Sequence, residues 1–469
     1  MGYSRRRWAY DTLPKGLRKG VRLVPFPLLA GRSYRRVIGR QAAMDALSRQ
    51  EVEALQRLKL SRLLQFVTEK VPAYRRYASD VARHDPVEVL RGIPFTSKEM
   101  LLADPNAYLP RDLSERAHYQ GSTGGTTATA LPLYYADDSA AIDLAYVHRF
   151  WGIVGYTPRN RKAVFRSVSV TGADQGIYWQ ANPIYNEMQF SAFHLHEGTA
   201  ERYLKQIRAY RPRYLCGLAS VIDVLAEYVL REGRQGDLPA IKAALLGSEA
   251  CNAAQRGRIE RAFGTRSFTW YGHAERVILG GECEVSQDYH SPPDYGYLEV
   301  AREDGTLCDI GEFGELVGTG FNNLCMPLIR YRSGDRATRL DPECGCGRHW
   351  DRFSQVDSHW GETMLVCKSG RRVAVKRFSG TAIKAHHHLF ERVQGAQYLQ
   401  ERAGEGVLKI VVSEGFREAD RMALEACYNA PLDDDLHMTV RVVDRLKRSA
   451  RGKLILLESR IDDGKGDSV

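Results

Sequence analysis

One run of small and hydroxyl-bearing residues has a composition suited to binding phosphate. It reads Gly121-Ser122-Thr123-Gly124-Gly125-Thr126-Thr127-Ala128-Thr129, and eight of the nine residues are Gly, Ser or Thr. Glycines let a backbone approach an anion closely, while hydroxyl and amide N–H groups can surround phosphate oxygens. The run is not a Walker loop, because no Gly-Lys-Ser/Thr ends it. Taken alone it fits a flexible loop better than a phosphate site.

Four further motifs follow this run along the chain. They are Gly247-Ser248-Glu249, Tyr271-Gly272-His273-Ala274-Glu275-Arg276, Arg330-Tyr331-Arg332-Ser333-Gly334-Asp335 and Arg451-Gly452-Lys453. In order and spacing the five motifs resemble the adenylate-forming enzymes of the phenylacetate-CoA ligase family. The wording of the first run and of the Tyr271 motif is similar to the CapK branch of that family, which serves capsular polysaccharide biosynthesis. The resemblance extends from Val71-Pro72 through Lys453.

The resemblance implies a nucleotide site. The loop residues would wrap the ATP phosphates as pyrophosphate departs: Ser122, Thr123, Gly124, Gly125, Thr126 and Thr127. Ser248 and Glu249 would line the same nucleotide site. Glu275 would hold Mg²⁺, because a hard cation that bridges phosphate oxygens prefers a carboxylate.

The same resemblance implies roles around the adenosine and the reacting atoms. Tyr271 would pack on the adenine, and Gly272 would leave room for the carboxylate substrate. Asp335 would accept hydrogen bonds from the ribose hydroxyls. Lys453 would reach the α-phosphate and the attacking carboxylate, and would reduce the repulsion between these two anions. Taken singly, each of these charged residues fits a surface position; their shared order argues for function.

A second group of residues suggests a metal site. Cys344-Gly-Cys346 places two thiols one residue apart on a glycine-rich turn, with Cys283 and His290 upstream. Three sulfurs and one imidazole suit tetrahedral zinc, and phenylacetate-CoA ligase relatives carry a similar set. We therefore expect structural Zn²⁺ at these four residues. The alternative is reduced cysteines beside a surface histidine.

The chain departs from the family pattern at two places. The phosphate run ends Thr127-Ala128-Thr129-Ala130, where relatives have Thr-Gly-x-Pro, so alanine would be strained if that position needs a positive φ. Relatives carry Gly-Arg at the hinge between domains, and Ser358-His359 aligns there. A changed hinge would affect the second half-reaction more than the first.

The surrounding pattern predicts an α/β fold. Residues 44–71 have apolar residues at helical spacing, which predicts a helix pair or one broken helix. From about residue 160, short apolar runs (163–170, 243–246) alternate with helical patterns (221–231, 253–263), which predicts a mainly parallel sheet. We expect a large N-terminal adenylation domain with mixed and parallel sheets (1–357) and a small, mobile α+β domain (358–469). The tract 386–388, three histidines, fits a helix surface.

Composition and charge narrow the function. The 469 residues are 43% hydrophobic and 26% charged, which is ordinary for a globular protein, and no segment has the ~18 uninterrupted apolar residues of a membrane span. No secretory signal begins the chain, so we expect a cytoplasmic protein without disulfides. Residues 1–40 hold eleven Lys or Arg against the single acid Asp11, an arm suited to an anionic membrane face or a phosphate-bearing partner. A solvated basic surface explains the arm as well, and nucleic acid binding is disfavoured.

Three functional hypotheses follow. The first is an enzyme that uses ATP and Mg²⁺ to activate a carboxylic acid as its acyl-adenylate, followed by transfer to coenzyme A or an amine, in capsule or exopolysaccharide biosynthesis. The second is a degenerate ATP-binding or scaffold protein of the same fold, for which Ala128 and His359 argue. The third and weakest is a zinc hydrolase, because four protein ligands leave no open position on the metal.

Overall fold

The structure is a computed structural model that describes most of the chain. The described residues are 24–123, 131–166, 168, 170, 172–249, 251, 253–354, 356, 364–375, 392–412, 414–429, 434–447 and 457–461. Several residues singled out in the sequence lie outside this part: Gly124, Gly125, Thr126, Thr127, Ala128, Ser358, His359, the tract 386–388, Lys453 and the basic arm up to residue 23. Their expected roles stay predictions.

Short helices and one long helix form the N-terminal region. They are α1 (Phe26–Ala30), α2 (Arg32–Gly39), α3 (Gln41–Asp45), α4 (Arg49–Lys70), α5 (Ala78–Val81), α6 (Pro86–Gly92) and α7 (Lys98–Ala103). Helix α4 begins at a capping box in which Ser48 and Glu51 satisfy each other's backbone N–H groups, and it ends at Val71, before Pro72. The sequence predicted a helix pair or a broken helix here, and the structure has one unbroken helix after the short α3. No described helix is long and apolar enough to cross a bilayer.

A hairpin and a large sheet follow. The strands are β1 (His118–Ser122), β2 (Pro132–Ala136), β3 (Lys162–Arg166), β4 (Trp179–Asn182), β5 (Glu187–Ser191), β6 (Tyr214–Gly217), β7 (Ala243–Leu246), β8 (Ser267–Gly272), β9 (Leu279–Gly281), β10 (Tyr289–Ser291), β11 (Gly296–Ala301), β12 (Phe313–Gly320), β13 (Tyr331–Leu340) and β14 (Asp351–Phe353). The intervening helices are α8 (Ser139–Gly152), α9 (Glu197–Tyr210), α10 (Ala219–Arg231) and α11 (Ala253–Phe263). Strands β1 and β2 pair with each other, and the other twelve form one sheet.

The twelve-stranded sheet has a parallel half and an antiparallel half. Its strand order is β11-β12-β13-β14-β10-β9-β8-β7-β6-β3-β5-β4. Strands β5, β3, β6, β7 and β8 run parallel, and helices α9, α10 and α11 bury their apolar faces against them. The prediction of a mainly parallel sheet was therefore incomplete, because β4 and every strand from β9 to β14 pair antiparallel. The mixed α/β class is confirmed.

The C-terminal part has its own sheets and core. Its elements are β15 (Met364–Val366), β16 (Arg372–Ala374), β17 (Val393–Arg402), β18 (Glu405–Val412), α12 (Glu418–Asn429), β19 (His437–Val442) and β20 (Leu457–Ser459). Strands β19-β18-β17-β20 form a four-stranded sheet, and its apolar core draws only on residues after 364. The predicted boundary at residue 358 lies outside the described residues and stays a prediction.

Candidate functional site

The first residues of the hydroxyl-rich run, Gly121 and Ser122, end strand β1 of the β1–β2 hairpin. Ser122 is opposite Pro132, the Thr123 N–H donates to the Leu131 carbonyl at 3.0 Å, and the Leu131 N–H donates to the Thr123 hydroxyl at 3.0 Å. These bonds hold together the two residues that flank the 124–130 segment. Of the hydroxyl-rich run, the structure describes Gly121, Ser122 and the buried Thr123.

Glu275 lies just beyond the carboxyl end of strand β8. Its carboxylate accepts a hydrogen bond from the Tyr331 hydroxyl at 2.8 Å, and its second oxygen is 3.0 Å from Nδ1 of His273. Burial alone would raise the pKa of Glu275, but His273 and Tyr331 outweigh burial and lower it. The side chain is 13% exposed. Glu275 is therefore an ionised, nearly buried carboxylate, which is the kind of ligand that Mg²⁺ requires.

Tyr271 and Asp335 meet next to Glu275. The Tyr271 hydroxyl donates to Oδ2 of Asp335 at 2.8 Å, joining strand β8 to strand β13. Burial, followed by the charge of Asp335, raises the pKa of Tyr271 well above its ordinary value, so the phenol stays protonated. The Asp335 N–H also donates to the Ser333 hydroxyl at 3.2 Å. The carboxylate predicted to bind ribose and the ring predicted to pack on adenine thus form one unit.

Arg276 connects the segment that contains Glu275 to the β1–β2 hairpin. Its guanidinium donates to the Tyr119 hydroxyl at 3.1 Å, lies 2.6 Å from Asp143 on α8, and sits 4.1 Å above the Tyr135 ring. The Tyr135 hydroxyl in turn donates to the Ala274 carbonyl at 2.8 Å. Arg276 has a left-handed backbone (φ 57°), a strained conformation for a residue with a Cβ. We call these residues the Arg276 cluster: Arg276, Asp143, Tyr119 and Tyr135.

Two glycines of the motifs are explained by close packing. A Cβ at Gly121 would lie 2.7 Å from the Tyr135 ring, so glycine lets this ring cross strand β1. A Cβ at Gly272 would lie 2.9 Å from Leu279 and 3.0 Å from Trp270. The sequence predicted that Gly272 leaves room for the substrate. In the structure, the side chains of Leu279 and Trp270 occupy the space beside Gly272, and its role toward substrate stays a prediction.

Ser248 and Glu249 follow the carboxyl end of β7, the strand beside β8. Ser248 has a left-handed backbone with φ 68°. The Glu249 carboxylate accepts the backbone N–H of Ser220 at the start of α10, so this carboxylate caps a helix. In open α/β sheets, ligands bind beyond the carboxyl ends of parallel strands. Ser248 and Tyr271 lie at that edge, on two neighbouring strands.

Sequence reasoning missed Lys98, the first residue of α7. The preceding Thr96 bridges to strand β13, where its N–H donates to the Arg330 carbonyl and its carbonyl accepts from the Arg332 N–H, each at 2.9 Å. Burial lowers the pKa of the half-buried Lys98, and the nearby Glu275 carboxylate opposes this effect. A cation from the N-terminal region therefore lies close to the proposed Mg²⁺ ligand. Nothing in the local sequence signals it, because the contact depends on a bridge between distant segments.

The four predicted zinc ligands converge. One ligand atom from each of Cys283, His290, Cys344 and Cys346 lies within 4.8 Å of all the others. Sγ of Cys283 is 3.8 Å from Sγ of Cys344, and Sγ of Cys346 is 3.5 Å from Nε2 of His290. With Zn–S bonds of about 2.3 Å and a Zn–N bond of about 2.0 Å, a tetrahedron has S···S edges of about 3.8 Å and S···N edges of about 3.5 Å. The donor set and its geometry fit a structural zinc ion.

The surroundings of this group also suit a metal. Sγ of Cys283 accepts the backbone N–H groups of Val285 and Ser286, at 3.4 and 3.1 Å. Burial nevertheless raises the pKa of this thiol to about 11, so a metal ion would have to displace its proton. Burial, followed by the charges of Arg352 and Arg348, lowers the pKa of His290 to about 4, so the imidazole is neutral and can bind a cation. Tyr289 and Phe353 beside this group pack against Tyr271, with ring centroids 6.5 and 5.8 Å away. The four predicted zinc ligands thus lie beside the aromatic rings that support Tyr271, the ring predicted to pack on the adenine.

Comparison with known proteins gives related enzymes over most of the chain. No family model matches it. It is 26% identical to phenylacetate-coenzyme A ligase of Thermus thermophilus over 392 residues, which are 80% of this chain and 85% of the relative. It is 26% identical to the Escherichia coli enzyme of the same name over 336 residues (69% and 74%), and 26% identical to Protein CapK of Staphylococcus aureus over 220 residues (45% and 46%).

A solved structure has the same fold. The structure is 2-hydroxyisobutyryl-CoA ligase in complex with 2-HIB-AMP and CoA in the thioesterification state, with a TM-score of 0.56, 18% identity, and coverage of 90% of this chain and 92% of that one. The same ligase in the postadenylation state matches with a TM-score of 0.52 and 19% identity, over 90% of this chain and 92% of that one. The motif order, the sequence similarity and the fold agree, and they relate the chain to the adenylate-forming ligases of the phenylacetate-CoA ligase family.

Proposed function

We propose that the protein uses ATP and Mg²⁺ to convert a carboxylic acid into its acyl-adenylate, with release of pyrophosphate. The observation that carries this proposal is a convergence of distant residues. The Arg276 cluster joins the β1–β2 hairpin, whose strand β1 carries the first residues of the hydroxyl-rich run, to the segment of Glu275. Strand β13 joins this ionised carboxylate to the Tyr271–Asp335 pair. Groups of these kinds are needed to bind a nucleoside triphosphate together with a divalent cation.

The proposed roles follow from the charges of these residues. Glu275 would hold Mg²⁺, and the bound ion would supply positive charge to offset the negative charge that develops as pyrophosphate leaves. The half-buried Lys98 adds a second positive charge beside it. Tyr271, held by Asp335 and by Phe353, would orient the adenine, and Asp335 would accept the ribose hydroxyls. Gly124, Gly125, Thr126 and Thr127 would donate to the phosphates.

Lys453 would complete the site from the C-terminal domain. A lysine that contacts both the α-phosphate and the substrate carboxylate lets two anions approach to reaction distance. The step forms a bond between a carboxylate oxygen and the α-phosphorus and breaks the bond from that phosphorus to the leaving pyrophosphate. The order of the five motifs in the sequence supports this role.

The acyl group would then pass to coenzyme A or to an amine. The 2-hydroxyisobutyryl-CoA ligase structure in the thioesterification state is a complex with 2-HIB-AMP and CoA, which supports coenzyme A as the acceptor. The partial similarity to Protein CapK supports a role in capsule or exopolysaccharide biosynthesis. We further propose that the enzyme works in the cytoplasm, in peripheral contact with the inner membrane face or lipid-linked glycan machinery through its basic arm (residues 1–40).

Zinc would have a structural role in this enzyme. Four protein ligands fill a tetrahedron and leave no position for water or substrate. The ion would bind Cys283, His290, Cys344 and Cys346 and would join the segment after β9 to the segment before β14. A hydrolytic role is therefore not proposed.

Pyrophosphate release with a panel of carboxylic acids tests the proposed function. The wild-type protein should release pyrophosphate with at least one acid in the presence of Mg²⁺, and Lys453→Ala should release none while still binding ATP. If wild type binds ATP but no acid supports release, adenylation is wrong and a scaffold role is the better account. If wild type releases pyrophosphate and Lys453→Ala is equally active, the role proposed for Lys453 is wrong.

A further inference from the structure

The amino ends of the parallel strands carry an unusual concentration of positive charge. This edge of the sheet is opposite the one that holds Ser248 and Tyr271. A single open cavity of about 560 Å³ lies there, lined entirely by arginine and asparagine: Arg159, Asn160, Arg161, Asn186, Arg211 and Arg213. All four arginines are exposed. We call these four residues the arginine surface.

The backbone of the sheet sets the positions of these charges. Arg161 and Arg213 precede β3 and β6, and the Arg213 N–H donates to the Arg161 carbonyl at 2.8 Å. Lys242, before β7, continues the row, because its N–H donates to the Arg213 carbonyl at 2.8 Å. Neighbouring strands lie about 4.8 Å apart, so the three cations stand side by side along about 10 Å of the edge. Like charges so close repel one another unless an anion lies over them.

Local structure accounts for only part of this charge. Arg161 donates to the Tyr210 carbonyl at the end of α9, a helix C-terminus where a cation is favourable. Arg213 contacts the hydroxyl of Tyr214. Across the part of the chain that the structure describes, none of the four arginines forms an ion pair with a carboxylate. Their charge is therefore available to a partner.

The neighbouring helices extend this surface. The ring of Phe26 on α1 packs 5.4 Å from that of Tyr185, the residue next to Asn186. On the same short segment, Leu28 is 51% exposed and Val24 is 41% exposed. Helix α2, which follows at once, exposes Arg32, Arg35 and Arg36. Exposed apolar side chains beside a broad basic face are typical of a surface that meets the headgroup region of a membrane.

We propose that the arginine surface docks the protein onto an anionic phospholipid membrane. Guanidinium groups bind phosphate oxygens through paired hydrogen bonds, and a wide, open cavity suits many headgroups better than one small ligand. Docking by the amino ends of the strands leaves the carboxyl ends, and hence the nucleotide site, facing away from the membrane. This inference does not depend on the proposed adenylation. The four arginines of the arginine surface lie outside the basic arm, whereas Arg32, Arg35 and Arg36 beside them belong to it.

Vesicle co-sedimentation of the full chain tests the proposal. The test variant carries Arg159→Gln, Arg161→Gln, Arg211→Gln and Arg213→Gln, since glutamine can still donate to the Tyr210 carbonyl. The control removes the same charge from exposed arginines elsewhere: Arg75→Gln, Arg76→Gln, Arg83→Gln and Arg111→Gln. Both keep the basic arm intact. Vesicles contain phosphatidylcholine alone or with phosphatidylglycerol added.

Wild type and control should bind the anionic vesicles alike, and the test variant at least about tenfold more weakly, with all binding falling at high salt. Unchanged circular dichroism and ATP binding would show that the test variant is folded. Equal loss in both variants, equal retention in both, or no binding by wild type would overturn the proposal. So would inorganic pyrophosphate that binds wild type but not the test variant while vesicles bind both alike, because the ligand would then be a free phosphate compound.

Discussion

Replacing Arg276 by methionine is a sharp test of how the site is held together. Methionine keeps much of the side chain's length and removes its charge. Three interactions are lost: the ion pair with Asp143, the hydrogen bond to Tyr119 and the cation–π contact with Tyr135. Asp143 would keep only the hydrogen bond from Tyr295, at 2.9 Å. Strands β1 and β2 would lose the contacts that the Arg276 side chain makes with Tyr119 and Tyr135.

The magnitude follows from burial. The Arg276 and Asp143 side chains are 18% and 26% exposed, so their ion pair lies near the buried end of the range. Removing one partner of a buried pair costs about 3 to 5 kcal/mol, and partial exposure favours the lower value, about 3 kcal/mol. Arg276→Met with Asp143→Asn leaves no buried charge behind. We expect the double variant to recover at least about 1.5 kcal/mol of the loss.

The loss of unfolding free energy in Arg276→Met should depend on pH. Burial raises the pKa of Asp143 above its ordinary value, and Arg276 opposes that effect. Without Arg276 the folded-state pKa rises further, so the folded state disfavours the ionised carboxyl. The destabilisation is then largest at neutral and alkaline pH and diminishes as the pH falls through the folded pKa. Urea unfolding at several pH values measures it.

Function should respond as well as stability. ATP affinity, measured by calorimetry without any acid substrate, should fall at least about tenfold in Arg276→Met, or about 1.4 kcal/mol. Arg258→Met is the matched control, because Arg258 pairs with Asp223 between α10 and α11, away from the hairpin. The control should lose stability and keep ATP affinity. If both variants weaken ATP binding equally, or if Asp143→Asn restores nothing, the Arg276 cluster does not position the site.

Three further outcomes are expected. Glu275→Gln should lower the affinity for Mg·ATP about tenfold or more and leave the affinity for Mg-free ATP nearly unchanged. Because the pKa of Glu275 is lowered, this carboxylate stays ionised near neutral pH, and the Mg²⁺ dependence of ATP binding in wild type should not change there through this group. Calorimetry across pH checks both points. Cys344→Ser should release zinc, lower the melting temperature and weaken ATP binding, whereas Cys427→Ser on α12 should keep the metal, as elemental analysis and thermal unfolding will show. Lys453→Ala should retain ATP binding and lose pyrophosphate release, since only the reacting atoms need this lysine.

The sequence predicted best the elements whose signal is local. Strand β7 spans Ala243–Leu246 and helix α11 spans Ala253–Phe263, the ranges that their apolar patterns indicated. Both are buried against the parallel half of the sheet, where continuous apolar runs are expected. Three strands of the antiparallel half were missed because they are short: β9, β10 and β14 have three residues each, and the pairing of β10 with β14 joins segments about sixty residues apart. No periodicity can appear in three residues.

In the site, too, the sequence indicated individual residues but not the contacts between residues far apart in the chain. Motif order indicated Glu275, Tyr271 and Asp335, and the structure brings these three together. It could not indicate that the Tyr331 hydroxyl reaches Glu275, or that Arg276 reaches back to Tyr119 on the phosphate hairpin. These contacts span 56 and 157 residues of the chain. They depend on the crossing of β8, β13 and the hairpin, which only the assembled fold determines.

The four predicted zinc ligands and the predicted nucleotide site, separate in the sequence, are linked in the structure through Tyr289 and Phe353. His290 is next to Tyr289, and Tyr289 and Phe353 both pack on Tyr271, whose hydroxyl fixes Asp335. A metal bound to these ligands would join the segments before β10 and β14 and would therefore help to fix the position of the Tyr271 ring. Zinc loss should then weaken ATP binding through the adenine side and leave the Mg²⁺ dependence at Glu275 intact. An equal loss of both would instead mean that the metal supports the whole antiparallel half of the sheet.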